Sequence, residues 1–142
     1  MTFRIGPKFV VLLISLTMVG CFSSAQDQQR LTEVKRIWST FPLYPGMVEV
    51  DSSTSSGFGK AFISRGFRNR TNYDDVKRFY IERLTKDGWH LTEERSLKDW
   101  DRDLGGRELT FRRGDYEASI EYAGEMADYG WDYGIGIGWR HY

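Results

Sequence analysis

The chain has a single cysteine, Cys21, in 142 residues, so no disulfide can form within it. Histidine is nearly as scarce. His90 and His141 are far apart in sequence, and neither has a cysteine or second histidine at ligand spacing, so no zinc site is indicated. No apolar run reaches the roughly 20 residues that a membrane-spanning helix needs. A charge excess is also missing, with 20 basic and 20 acidic side chains. A near-neutral chain has no long-range field to draw in nucleic acid, so no nucleic-acid partner is expected. The length suits one domain and not two.

What is present begins with an asymmetric N-terminus. Residues 1–20 carry Arg4 and Lys8 and no acid, which leaves a net charge of −2 on the remainder. Phe9 to Val19 is apolar apart from Ser15 and Thr17. It has the length of a signal-peptide core and is too short for a transmembrane anchor. The run ends in Met18-Val19-Gly20-Cys21. This resembles the bacterial lipobox, with Met18 where leucine is usual. The resemblance implies cleavage before Cys21 and a diacylglycerol thioether on its sulfur, so that the lone cysteine falls where that chemistry needs it. It also implies residence at the cell membrane or outer membrane, facing the periplasm or exterior. Phe22 rather than aspartate follows the cysteine, which in an enteric-like Gram-negative cell implies the outer membrane. The alternative is cleavage after Ser23-Ser24-Ala25 and release of a soluble protein. The expected division is a signal peptide over 1–20, a lipidated tether over 21–29 and a single α+β domain over 30–142.

Within that domain, Leu31, Val34, Ile37 and Trp38 predict a short amphipathic helix over 28–39, ending before Phe41-Pro42. A short strand is expected over 47–50. Residues 51–57, rich in serine, read as a flexible loop. A strand from Phe58 to Arg68 follows. Asn72 or Thr71 can cap a helix over 73–86, with Asp74 and Asp75 in its first turn. Tyr73, Val76, Phe79, Tyr80 and Leu84 form its apolar stripe, and Gly88-Trp89 its exit. The period then switches to two. Strands are expected from Trp89, over 107–113, over 116–122 beyond a Gly114-Asp115 hairpin, and over 131–140. The fold class is α+β: an antiparallel sheet of four to five strands, with one main helix on one face and a short N-terminal helix.

Tyr44-Pro45-Gly46, Val76 to Tyr80 with its Phe79-Tyr80 pair, Leu84 and Gly88-Trp89 resemble a recurring module of small, often lipid-anchored bacterial envelope proteins. The resemblance spans about residues 41–140. It implies the fold and supplies no catalytic residue.

Several patterns invite a chemical reading. Asp99, Asp101 and Asp103 have the spacing that opens a calcium loop, but the glycine and the closing glutamate of that loop are missing; a solvated hairpin is the simpler reading. Gly134, Gly136 and Gly138 alternate along the last strand and do not open a helix, so they are no phosphate loop. Something should approach that bare backbone, with the first helix the nearest candidate and a ligand or partner strand the other. Tyr129, Trp131 and Tyr142, with Tyr133 and Trp139, could form a stacking platform for glycans; the alternation also fits a core. Arg65, Arg68 and Arg70 around Phe67 resemble a basic and aromatic nucleic-acid patch, but in a neutral, exported chain a solvated strand edge is the simpler reading, with a contact to anionic lipid headgroups the second. No serine has recognisable triad partners, and lipidation would consume Cys21. The expectation is a non-enzymatic, lipid-anchored protein that needs no cofactor and contacts an envelope protein or the envelope itself. The alternative is a binding module for a glycan or small apolar ligand.

Overall fold

A computed structural model describes residues 24–140; the segment 1–20, Cys21 and Tyr142 lie outside the described residues. The first helix, α1 (Ala25–Thr40), begins earlier than its apolar period predicts. Ser24 is the reason. Its hydroxyl accepts from the Asp27 amide at 3.1 Å, and the Asp27 carboxylate accepts from the Ser24 amide at 3.4 Å, which closes a capping box. Residues 25–29, expected as tether, are therefore the first turn of the helix. Burial alone would raise the Asp27 carboxyl. The amide of Gly59, both groups of Ser24 and the Arg30 guanidinium reverse this and hold it below the usual carboxylate range.

Six strands form one antiparallel sheet: β1 (Val48–Gly57), β2 (Lys60–Arg68), β3 (His90–Asp99), β4 (Arg102–Arg113), β5 (Tyr116–Tyr122) and β6 (Tyr133–Trp139). Their spatial order is β1-β2-β6-β5-β4-β3. The last strand in the chain thus lies between β2 and β5. The second helix, α2 (Tyr73–Lys86), has its expected cap, with the Asn72 side chain accepting from the Asp75 amide at 3.0 Å.

The sheet has six strands where four to five were expected, and its first strand is longer than expected because 51–57 is no loop. Ser52 to Gly57 pair with Arg65 to Lys60 in register, and Phe58-Gly59 makes the two-residue turn. Partner-strand pairing outweighs the weak strand preference of serine. The stretch from Glu93 to Gly106 is likewise strand, closed by Trp100-Asp101. Both turns set non-glycine residues left-handed: Phe58 at φ 52°, Trp100 at 46° and Asp101 at 68°. Phe58 is 96% exposed and Trp100 93%.

Both helices lie on one face of the sheet. Leu31, Val34 and Ile37 of α1 and Val76, Tyr80 and Leu84 of α2 close over Ile63, Phe67, Leu109, Phe111, Ile120, Ile135 and Ile137, all buried. Arg30 adds a guanidinium 3.3 Å over the Trp139 ring. The motif residues form a single aromatic node. Phe41 lies 6.2 Å from the Tyr80 ring and 6.1 Å from the Trp89 ring; Tyr44 meets Phe79 edge-on at 5.2 Å. The Tyr44 amide donates to the Tyr80 hydroxyl at 3.3 Å, and the Trp89 amide returns to the Leu84 carbonyl at 2.9 Å.

Trp89 is 1% exposed, so Trp89→Ala should cost about 4 kcal/mol of unfolding free energy, against about 1 kcal/mol for Tyr80→Phe, read from urea denaturation midpoints. Ser24→Ala removes a cap and should cost about 1 kcal/mol in the same assay, whereas Ser23→Ala should be neutral.

Candidate functional site

Among the described residues, no helix lies on the opposite face of the sheet. Three cross-strand rows can be read from the pairing. The first holds Gly66, Gly134, Glu121, Glu108 and Arg95; the second Ser64, Gly136, Ser119 and Thr110; the third Phe62, Gly138, Glu117, Arg112 and His90. The glycines expected to admit a neighbour lie on this face, and α1 lies on the other. The approaching group is Trp131. A Cβ on Gly66 would stand 2.6 Å from its ring, and one on Gly134 3.1 Å.

Trp131 was expected on the core face with Tyr133 and Ile135. It crosses over because β6 begins only at Tyr133. The alternation therefore holds only from Tyr133 onward, and the Asp132 amide donates to the Phe67 carbonyl at 2.9 Å. The Asp132 carboxylate accepts from the Asn69 amide at 2.9 Å, which fixes the entry to β6. Trp139 does face the core side, under Arg30. The Tyr129 ring sits 4.7 Å from that of Trp131, tilted by 33°, and Tyr129 is 39% exposed.

Beyond Trp131 the neighbours of the bare backbone are smaller: a Cβ on Gly136 would stand 2.8 Å from the Ser119 hydroxyl and one on Gly138 3.4 Å from the Phe62 Cβ. Gly136 and Gly138 floor a shallow groove of about 280 Å³, walled by Phe62 and Ser64 on one side and Glu117, Ser119 and Glu121 on the other. Glu117 is held by Arg112 at 3.3 Å and Arg140 at 2.8 Å. Burial, reinforced by the neighbouring Glu108 carboxylate and only partly offset by Arg95, raises the Glu121 carboxyl above its usual range. Glu108 itself is paired with Arg95 at 2.5 Å.

Two of the three aspartates of the weak calcium reading are engaged within the hairpin. Asp99 pairs with Arg102 across the turn, and Asp103 accepts from the Gly105 amide at 2.9 Å and from Arg107 at 3.3 Å. Among the described residues no group of three or more His, Cys, Asp or Glu side chains is placed to hold a metal ion. Arg65, Arg68 and Arg70 do not act as a patch either. Phe67 is buried, Arg65 faces α1 with Trp38 5.8 Å away, and Arg68 pairs with Asp132 at 3.3 Å.

So Tyr129 and Trp131 come together, Gly136 and Gly138 form a groove floor, and Gly134 is covered. Sequence reasoning missed Phe62, Glu117 and Glu121, which become neighbours of the glycines only through strand order. It also missed the exposed turn residues Phe58 and Trp100. For Phe58 a signal existed, since a glycine follows it between two segments of similar length. No described helix is long and apolar enough to cross a membrane. In comparisons with protein families, curated proteins and solved structures, nothing matches this chain.

A carboxyl with a raised folded pKa weakens the fold as pH climbs from its unfolded value, about 4.3, through the folded one. Glu121→Gln should therefore raise the melting temperature at pH 7, with the gain vanishing below about pH 4; thermal scans across that range, followed by circular dichroism, measure it.

Proposed function

We propose that this is a lipid-anchored bacterial envelope protein whose folded domain is held against the bilayer and serves as a non-enzymatic interaction module. The observation that carries the reading is the Ser24–Asp27 capping box. Cleavage before Cys21 keeps Ser24 and leaves only Phe22 and Ser23 between the lipidated residue and the helix cap. Cleavage after Ala25 would remove Ser24 and the first residue of α1, at a cost of about 1 kcal/mol. A spacer this short spans at most about 11 Å from Cys21 to Ser24, so the domain would stay near the membrane surface. Two or three acyl chains give stable anchoring where one would be marginal.

A second reading, a binding module for a glycan or small apolar ligand, is favoured by the groove over Gly136 and Gly138 beside Phe62. Trp131 does not line that groove, and one side of its ring packs on Gly66 and Gly134, so it would not serve there as a stacking platform.

The test is a cross-linking pull-down from living cells through a C-terminal tag, with native protein beside Cys21→Ala and intact mass measured on both. The expected result is a diacylglycerol adduct on mature native protein, fractionation with membranes, and a protein partner that is lost in Cys21→Ala. Recovery of glycan with no protein partner would favour the second reading. An unmodified Cys21 would refute the anchor.

A further inference from the structure

We propose that the β1–β2 turn is a second membrane contact, with the Phe58 side chain set into the headgroup region of the bilayer beside the lipid anchor. The inference rests on the lipid-anchor reading and deepens it.

Phe58 is out of place by every local criterion. It is 96% exposed, so it gains almost nothing from packing, and its φ of 52° suits glycine or asparagine far better than an aromatic residue. The chain thus bears a conformational cost for an apolar side chain that touches almost nothing within the domain. The turn is also fastened. The Gly59 amide donates to the Asp27 carboxylate at 3.4 Å, and the Gln28 side chain donates to the Ser56 hydroxyl at 3.3 Å. Asp27 is 3% exposed and belongs to the capping box with Ser24.

These contacts give the position of the turn relative to the anchor. Ser24, Asp27 and Gly59 form one continuous set of hydrogen bonds, and Ser24 is three residues from Cys21. The chain leaves the described fold beside Phe58, so an anchor at Cys21 brings this turn to the bilayer. Lys60, next to the turn and exposed, suits anionic headgroups, and an aromatic ring suits the interfacial layer. A side chain within hydrogen-bonded reach of the anchor needs no long-range search to find lipid.

Trp100 is the internal control. It has the same exposure and the same left-handed turn geometry. Strand pairing puts it at the other end of the sheet: Lys60 and Ala61 are level with Trp139, Tyr116 and Arg113, while Trp100 lies at the far end of β4. The two tips are roughly 40 Å apart along the strands. If Phe58 faces the bilayer, Trp100 points away from it.

Lipidation leaves the chain without a free thiol, so Phe58→Cys and Trp100→Cys each introduce a unique labelling site at an exposed position. Each full-length lipidated variant is labelled with a polarity-sensitive thiol fluorophore and reconstituted into phosphatidylethanolamine–phosphatidylglycerol vesicles, with and without brominated lipid. The expected result is a blue-shifted emission at position 58, quenched several-fold more strongly than at position 100. Equal, water-like emission at both positions on protein that floats with the vesicles overturns the tip contact and leaves the anchor standing. Protein that does not float, with a Cys21 thiol still open to labelling, overturns the anchor reading and the tip contact together.

Discussion

The aromatic node of Phe41, Tyr80 and Trp89 is the constraint on which the rest of the fold depends. Each ring comes from a different element: Phe41 from the end of α1, Tyr80 from the middle of α2, Trp89 from the entry to β3. α1 covers the β1–β2–β6 side, whereas α2 meets β3 and, through Tyr73, stacks on Tyr122 of β5. Without the node, little else among the described contacts would tie the two helices into one layer. The Tyr80 hydroxyl adds a polar link to the node: burial pushes its proton affinity up, and it remains a neutral acceptor for the Tyr44 amide.

That node also explains which parts of the fold were legible in sequence. The second helix and its exit were readable because capping, periodicity and the Gly-Trp exit all agree over residues 72–89. β1 was not, because its serines carry no strand signal of their own; the order comes from β2 alongside, a contact that composition cannot register. The crossing of Trp131 was hidden by a clean odd-number alternation that holds as strand only from Tyr133 onward. Of the candidate site, the glycine stripe was visible and its exposure on the helix-free face was not. The side of the sheet that bare glycines occupy depends on where the helices fall.

The two faces of the sheet do different jobs. One is apolar and closed by helices. The other is built from small and paired polar side chains, with Arg95–Glu108 and the Arg112–Glu117–Arg140 cluster neutralising most of its charge. Its edges differ too. β3 is charged and its pairing with β4 is twice irregular, features that discourage strand addition, while Ser52 to Gly57 of β1 carries no charge. Proximity of β1 to a membrane would restrict what can approach that plainer edge.

The placement of β6 has a consequence for how the molecule is made. A strand from the end of the chain fills the centre of the sheet, between β2 and β5. Until it emerges, the β1–β2 hairpin and the β3–β4–β5 meander have no shared partner, and the core beneath them cannot close. Contacts of such long sequence separation form late. In a chain of this topology β2 and β5 each keep one edge unpaired until residues 133–139 arrive, so the two halves of the sheet mature as one unit and not in succession.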